Sequence, residues 1–269
     1  MRYHNPVRNR RKTLWIGIAV GLAVGLGILY AVTPHHIAFF RQFLPGYILL
    51  RLQGKDCYDA DLRLLRHGNP HLPEVALTFD DGPRPGVTEA ILDILKRYRV
   101  PATFFVVGVR VKQAPDLLRR VVQEGHEIGS HTHTHLRLPT LTERQILNEL
   151  RNNEIVVARA VPGLKIRLLR PPGGEFDRRT LQVARRLGYV TVLWSATAGD
   201  YENVPPSRIR SRIWDATDRG AIILLHESNR STVAALPQLI EMLRAEGLRF
   251  VTVSQMLNHL QTPNQRLKH

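Results

Sequence analysis

The chain has 269 residues, of which 43% are hydrophobic and 23% charged, and its formal net charge is +15. This composition excludes a disordered chain and leaves room for one large domain or two modest ones. Its single cysteine, Cys57, excludes an intrachain disulfide. A strongly positive charge is typical of nucleic-acid-binding proteins, but no zinc-finger spacing, stacking-aromatic motif or dense basic block accompanies it here. We therefore expect no nucleic-acid partner and favour an anionic surface, either lipid headgroups or an acidic wall polymer.

A long apolar run lies near the N-terminus. Residues 14–32 contain no charge and no proline, and only basic charges precede them, at Arg2, Arg8, Arg10, Arg11 and Lys12. Such a run can span a bilayer, whereas the apolar core of a signal peptide is shorter. We expect residues 1–13 to be a basic cytoplasmic tail and residues 14–32 a retained transmembrane signal anchor; a cleaved signal and a buried core helix are the alternatives. This predicts a single-pass membrane protein whose remaining chain lies outside the cytoplasm.

Small residues repeat inside this run, at Gly17, Gly21 and Gly25. Their four-residue spacing gives one smooth helix face, through which a weak homodimer could form. Residues 33–73 then mix apolar and basic side chains. They are interpreted as a juxtamembrane linker or an amphipathic segment, which either lies along a membrane or packs as a helix on the main domain.

From residue 74 to about residue 260, short apolar runs alternate with amphipathic stretches. Strands are predicted at 74–79, 102–107, 126–130, 166–170, 189–195, 221–226 and 249–253. Helices are predicted at 86–98, 115–124, 142–160, 177–187, 205–217 and 232–246. Strands that alternate with helices form a parallel sheet, either open and doubly wound or closed into a barrel. Residues 261–269 are expected to be a polar tail.

Polar residues stand where several predicted strands meet the following loops. They are Asp80, Asp81, His131, Arg170, Asp200 and His226. A barrel gathers the carboxyl ends of all its strands around one mouth, while an open sheet spreads them along a line. The contribution of five strands therefore favours a barrel.

Two of these clusters carry the residue types of a hydrolytic metal site. His131 and His135 are four residues apart, which on a helical turn would place both imidazoles on one face. Asp80 and Asp81 are adjacent, so one acid can bind a cation while the other handles protons. One acid and two histidines leave open positions on Zn²⁺ or a similar ion. The structural alternatives are a plain turn for the acids and a solvated loop for the histidines.

Five short motifs follow one another along the chain. They are Thr78-Phe79-Asp80-Asp81-Gly82-Pro83, His131-Thr132 through His135, Arg170-Pro171-Pro172-Gly173-Gly174, Asp200-Tyr201 and Leu224-Leu225-His226. In this order they resemble the polysaccharide deacetylases of the NodB-homology group, carbohydrate esterase family 4, over residues 74–257. The resemblance implies an α/β fold, a distorted (β/α)7 TIM-like barrel, as a deacetylase domain over residues 74–260. It also implies an enzyme that hydrolyses linear C–N amide bonds, removing N-acetyl groups from amino sugars of peptidoglycan or a chitin-like polysaccharide.

The resemblance also implies a metal centre and a general base. Asp81, His131 and His135 would hold one divalent ion, expected to be Zn²⁺, with Co²⁺, Ni²⁺ or Mn²⁺ as alternatives. Asp80 would be the general base, and Arg170 would pair with it. Such an ion pair would keep Asp80 ionised, the form that a base requires.

A general acid and a substrate-binding surface complete the implied site. His226 would be the acid, oriented by Asp200. The backbone N–H of Gly173 would stabilise the oxyanion. Tyr201, Trp194 and Phe176 are the candidates for contact with the sugar, and the alternative for each is a place in the core. This chain departs from the family pattern at Gly173, where an aromatic residue is usual, at Thr197, where many members carry an aspartate, and at Tyr201, where tryptophan is common.

Two rival functions use the same scaffold. One is a non-catalytic carbohydrate-binding or scaffold protein, and the other is an amide hydrolase acting on a small nitrogenous molecule. The full set of acids and histidines argues against the first. The predicted location outside the cytoplasm argues against the second.

Overall fold

A largely parallel sheet flanked by helices forms the described part of the chain. The structure is a computed structural model that describes residues 57–202, 204–228 and 230–261. Its strands are β1 (Tyr58–Asp59), β2 (Leu64–Leu65), β3 (Glu74–Gly82), β4 (Thr103–Val106), β5 (Glu127–Ser130), β6 (Leu168–Leu169), β7 (Val190–Val192), β8 (Ala196–Thr197), β9 (Ile222–His226) and β10 (Arg249–Phe250). Its α-helices are α1 (Thr88–Tyr98), α2 (Gly108–Gln113), α3 (Pro115–Gln123), α4 (Glu143–Ala160), α5 (Arg178–Arg186), α6 (Pro206–Ala216), α7 (Arg230–Ala245) and α8 (Val253–Gln261). Two short 3₁₀ turns, Leu138–Thr140 and Pro172–Gly174, complete the described elements.

The sheet pairs its strands in the order β1-β2-β7-β6-β5-β4-β3-β9-β8, and β10 pairs with β3. Every pair is parallel except β1 with β2. Within the described ranges no pairing joins β8 to β1, so backbone hydrogen bonds do not close the sheet. The predicted α/β class with a parallel sheet is confirmed. The arrangement is a half-barrel consistent with the predicted distorted (β/α)7 barrel.

All the predicted strands and helices are present, several with shorter ends. Three two-residue strands, β1, β2 and β8, and the helices α2 and α8 were not predicted. Two residues are too few to show a period of two, and α2 has only six residues. β1 and β2 precede residue 74, where the deacetylase domain was predicted to begin, and β2 pairs with β7. That boundary and the other predicted segment boundaries stay predictions.

The predicted location of the protein needs correction. No helix in the described part of the chain is long and apolar enough to cross a bilayer. The single-pass membrane location expected from the sequence is therefore contradicted. The predicted anchor at residues 14–32, the glycine face at Gly17, Gly21 and Gly25, and the homodimer expected from it lie outside the described residues.

The two faces of β3 have different surroundings. Val75, Leu77 and Phe79 belong to the hydrophobic cluster that includes the buried faces of the helices. Ala76 belongs to a second cluster, formed mainly by side chains from the strands and by α8. Because side chains alternate along a strand, Thr78 and Asp80 share the face of Ala76. The strand thus directs polar groups toward the face opposite the flanking helices.

Phe104 tests the first of these clusters. Its side chain is fully buried, and its ring stacks on Phe79 with the centroids 5.1 Å apart. We expect Phe104→Ala to lower the free energy of unfolding by roughly 3–5 kcal/mol, because it leaves a cavity in the core. Urea denaturation would measure this loss. Leu147→Ala on α4, where the residue is 38% exposed, is the control. Equal losses for the two variants would contradict this view of the core.

Candidate active site

The predicted polar residues converge at the carboxyl ends of the parallel strands. Asp80 lies beside His226 in the register of β3 and β9. His131 directly follows β5, and Arg170 directly follows β6. Since β3, β5, β6 and β9 belong to one parallel sheet, these side chains meet at the same edge.

A β-bulge sets the positions of the two adjacent acids. The register between β3 and β4 shifts between Asp80 and Gly82, and Asp81 has a φ of 73°. A regular strand would send the two carboxylates to opposite faces. The bulge interrupts this alternation, and both carboxylates approach the imidazole of His131.

Asp81, His131 and His135 form a compact cluster of metal-ligating groups. Each offers one ligand atom, and these atoms all lie within 4.8 Å of one another. Asp81 Oδ1 lies 3.1 Å from His135 Nε2 and 3.7 Å from His131 Nε2. The histidine pair was expected on a helical turn, but it lies in a loop. Thr132 and His135 both have φ above 60°, which an α-helix does not allow.

The donor atoms of this cluster fit a divalent cation. Asp81 Oδ1 is buried and accepts no hydrogen bond among the described residues. Burial favours the neutral carboxyl, but the neighbouring His135 and His131 hold the pKa of Asp81 well below its usual range. His131 Nδ1 donates to the main-chain oxygen of Arg170 at 2.7 Å, which leaves the lone pair of Nε2 facing the cluster. Burial lowers the pKa of His131 and so favours the neutral form that binds a metal.

Asp80 is held by a buried ion pair. Its Oδ1 accepts from Arg170 Nη1 at 2.8 Å, and both side chains are almost completely shielded from solvent. Arg170 also donates to Thr78 Oγ1 at 2.7 Å and to the main-chain oxygen of Leu193 at 3.1 Å. Its guanidinium lies 4.1 Å from the ring centroid of Phe105. The network fixes the carboxylate of Asp80, whose Oδ2 lies 3.8 Å from His131 Nε2.

His226 and Asp200 form a second supported pair. His226 Nδ1 lies 2.8 Å from Asp200 Oδ1, and the main-chain N–H of His226 donates to Asp200 Oδ2 at 2.8 Å. Thr232 Oγ1 also donates to Oδ2, at 2.7 Å. Burial acts to lower the pKa of His226, but the bond to Asp200 and the charges of Asp80 and Asp81 raise it above its ordinary value. His226 therefore retains a proton more readily than a free histidine.

Three of the predicted substrate-contacting residues occupy different settings. Tyr201 is 66% exposed, and its ring meets that of His226 edge-on with the centroids 5.6 Å apart. Trp194 packs over Gly174, where an added Cβ would lie 2.7 Å from the indole. Gly173 has a φ of 63° in the turn before Glu175. No hydrogen bond from its N–H is found within the described residues.

Several supporting residues were missed by the sequence analysis. They are Thr78, Arg110, Glu149, Asn153, Glu227 and Thr232. Arg110 donates to the main-chain oxygen of Asp81, and Glu149 and Asn153 bind the histidine loop. Glu149 and Asn153 could have been found from the sequence, because they interrupt the apolar stripe on the buried face of α4.

Glu227 is a fully buried carboxyl behind the acidic pair. An added Cβ at Gly82 would lie 1.8 Å from Glu227 Oε1, which explains why only glycine fits after Asp81. Oε2 accepts from Thr88, while Oε1 has no partner in the described structure. Burial raises the pKa of Glu227 to about 8, although the bond from Thr88 and the charge of Arg110 oppose this. The side chain is therefore largely neutral at pH 7.

A half-barrel with a metal-ligating cluster beside a second, ion-paired carboxylate defines the class of polysaccharide deacetylases. Residues 67–192 match the polysaccharide deacetylase family. A peptidoglycan-N-acetylglucosamine deacetylase of Bacillus cereus is 38% identical over 190 residues, which are 69% of this chain and 88% of that protein. The chain belongs to the polysaccharide deacetylase family, carbohydrate esterase family 4, and is an N-deacetylase by class.

Two solved structures share this fold. The Bc1960 peptidoglycan N-acetylglucosamine deacetylase, in complex with an N-hydroxybenzamide, aligns with a TM-score of 0.73 and 32% identity, covering 79% of this chain and 99% of that one. A pseudoenzyme of carbohydrate esterase family 4 from Bacillus anthracis aligns with a TM-score of 0.70 and 28% identity, covering 73% and 69%. The fold therefore occurs both with and without activity, so function depends on the residues of the site and not on the fold alone.

The neutral carboxyl of Glu227 predicts a pH dependence of stability. A carboxyl whose pKa rises from 4.5 to about 8 on folding binds a proton in the folded state between these values. The contribution of Glu227 to the free energy of unfolding should therefore fall as the pH rises from about 4.5 to about 8. Glu227→Gln cannot lose a proton, so it should flatten this fall.

Thermal unfolding in chelator across this pH range would measure the effect. Glu246→Gln, at an exposed position after α7, is the matched control and should keep the wild-type slope. A Glu227→Gln protein with an unchanged slope would show that Glu227 is ionised in the fold.

Proposed function

We propose that this protein is a metal-dependent hydrolase that removes N-acetyl groups from amino sugars of an extracytoplasmic polysaccharide, peptidoglycan or a chitin-like polymer. One observation carries the proposal. The cluster of Asp81, His131 and His135 lies beside a carboxylate paired with Arg170. This arrangement supplies a cation site and a free acid–base group within a few ångströms.

Asp81, His131 and His135 would hold one divalent ion, for which Zn²⁺ is our assignment. Two imidazoles and one carboxylate suit zinc and leave a position for substrate and water. When bound, the ion supplies Lewis-acid polarisation of the amide carbonyl and of water. Asp81 Oδ1, which accepts no hydrogen bond among the described residues, and His131 Nε2, whose lone pair faces the cluster, support this ligand set.

Asp80 would act as the general base. It takes a proton from the attacking water, whose oxygen forms the new bond to the acetyl carbon. Arg170 holds the carboxylate in place through Oδ1, and Oδ2 remains on the side of the histidine cluster. A positioned base of this kind contributes roughly 10²- to 10⁴-fold to the rate.

His226 would act as the general acid. The C–N bond breaks as the sugar nitrogen receives a proton, so the products are acetate and a free amine. Asp200 accepts from His226 Nδ1, which fixes the ring and leaves Nε2 to deliver the proton. The raised pKa of His226 keeps this proton available near neutral pH.

Gly173, Tyr201 and Trp194 would form the substrate-facing part of the site. The N–H of Gly173, for which no hydrogen bond is found within the described residues, would donate to the developing oxyanion. Tyr201 is exposed beside His226, where an aromatic ring can contact a sugar. Members of the family usually have an aromatic residue at the position of Gly173, so the glycine would leave a wider groove for the sugar.

The assignment is tested by acetate release from N-acetylglucosamine oligomers and from peptidoglycan. We expect release by the wild-type chain, loss of release in chelator and recovery on adding zinc. Asp80→Asn should lower the rate by roughly 10²- to 10⁴-fold while zinc still binds, because the ligand cluster is untouched.

Asp93→Asn, which removes an exposed acid paired with Arg120, is the control and should keep full activity. A wild-type rate in Asp80→Asn would disprove the role of the base. Polymer binding without any acetate release would instead favour the inactive scaffold.

The pairing of His226 with Asp200 predicts a shift in the pH–rate profile. A general acid must be protonated, so kcat/KM falls as the pH rises through the pKa of His226. Asp200→Asn removes the carboxylate that raises this pKa. The alkaline limb of kcat/KM should therefore move to lower pH. The profile measured over pH 5 to about 10 checks this, and an unmoved limb would exclude His226 as the acid.

A further inference from the structure

The loop from His131 to His135 adopts a conformation that its own sequence does not favour. Thr132 has a φ of 66° and His135 a φ of 63°, both in the left-handed region. Non-glycine residues rarely adopt this conformation, because the Cβ atom crowds the backbone there. The surrounding structure must therefore hold the loop.

Glu149 of α4 binds the middle of this loop. Its Oε2 accepts from the main-chain N–H of His133 at 3.0 Å and of Thr134 at 2.8 Å. Its Oε1 accepts from Thr134 Oγ1 at 2.7 Å. The side chain of Glu149 is thus committed to three donors, and all three belong to the segment between the two histidines.

Asn153 lies one helical turn further along α4 and is fully buried. Its Nδ2 donates to the main-chain oxygen of Thr132 at 2.6 Å and to that of Val106 at 3.0 Å. The oxygen of Thr132 also accepts from the N–H of Gly108 at 3.0 Å. Asn153 therefore ties the loop to the end of β4.

A buried acid and a buried amide are costly on an apolar helix face unless they are hydrogen-bonded. Here Glu149 and the Nδ2 of Asn153 bond to the loop and to its neighbour β4, while Asn153 Oδ1 has no partner among the described residues. We propose that Glu149 and Asn153 are positioning residues that hold His131 and His135 in the metal-binding conformation. This inference rests on the proposed metal site, but it concerns metal affinity and not the deacetylation itself.

Loss of either contact should allow the loop to relax toward ordinary backbone angles. The two imidazoles would then spend less time converged on Asp81, so the metal would bind more weakly. Changes to residues that support metal ligands typically weaken affinity by about 10- to 100-fold. Because the ligands remain, an excess of metal should restore the activity.

Glu149→Met tests the inference with a side chain of similar length. Methionine has no oxygen, so the main-chain N–H groups of His133 and Thr134 lose their acceptor. We expect zinc affinity, measured by competition with a chromogenic chelator on the full chain, to fall by about 10- to 100-fold. The visible spectrum of the Co²⁺ form should change in the same variant, and kcat should return toward the wild-type value at saturating zinc.

Glu143→Met is the matched control on the same helix. Glu143 is exposed and pairs with Arg186, away from the histidine loop. Its zinc affinity should equal that of the wild type. Thermal unfolding of both variants in chelator separates a loss of fold from a loss of metal binding.

Thr134→Val is a second variant for the case in which Glu149→Met does not fold. Thr134 is exposed, and valine removes only the hydroxyl that donates to Glu149. The loss of one such bond should weaken zinc binding by roughly two- to tenfold. Wild-type affinity in a folded Glu149→Met protein, or in Thr134→Val if that variant must decide, overturns the inference. Weakened zinc binding in a protein that never releases acetate would refute the proposed function and leave the inference standing.

Discussion

The buried guanidinium of Arg170 is the interaction on which the site depends. Its side chain fixes the carboxylate of Asp80 and binds Thr78 and Leu193, while its main-chain oxygen accepts from His131 Nδ1. One residue thus orients both the proposed base and a proposed metal ligand. A buried charge of this kind is tolerated only when it is paired and fully hydrogen-bonded. The geometry of the site therefore follows from the need to satisfy a single cation in the interior.

Four carboxyl groups within this small region have different surroundings, and the surroundings determine what each can do. Asp80 faces a guanidinium, and Asp200 faces an imidazole. Asp81 lies beside two histidines and has an oxygen that accepts no hydrogen bond from the described residues, which suits a cation ligand. Glu227 is fully buried, and the bond from Thr88 and the charge of Arg110 do not offset the cost of burying its charge, so its pKa rises. Identical chemical groups thereby acquire the different properties that the proposed base, orienting group and metal ligand require, and Glu227 becomes a neutral structural acid.

The backbone conformation also shapes the site. Asp81, Thr132 and His135 all have positive φ, and each lies within or beside the proposed ligand set. Such conformations cluster at functional sites because the surrounding structure over-determines them. Here Arg110 binds the main chain at Asp81, and α4 binds the histidine loop. The same fold also occurs in a pseudoenzyme, so the scaffold alone does not confer activity.

The sequence by itself determined the alternation of strands and helices, the parallel sheet and the residues that gather at its carboxyl edge. It could do so because periodicity and strand-end position are local properties of the chain. The tertiary structure decided what local patterns cannot carry. The bulge at Asp81 depends on pairing with β4, which is distant in sequence. The loop at His135, found in place of the expected helical turn, depends on hydrogen bonds to Glu149 of α4. Within the described residues, β1 and β8 stand at opposite ends of the sheet and do not pair, and this too depends on the order of all the strands and not on any single segment.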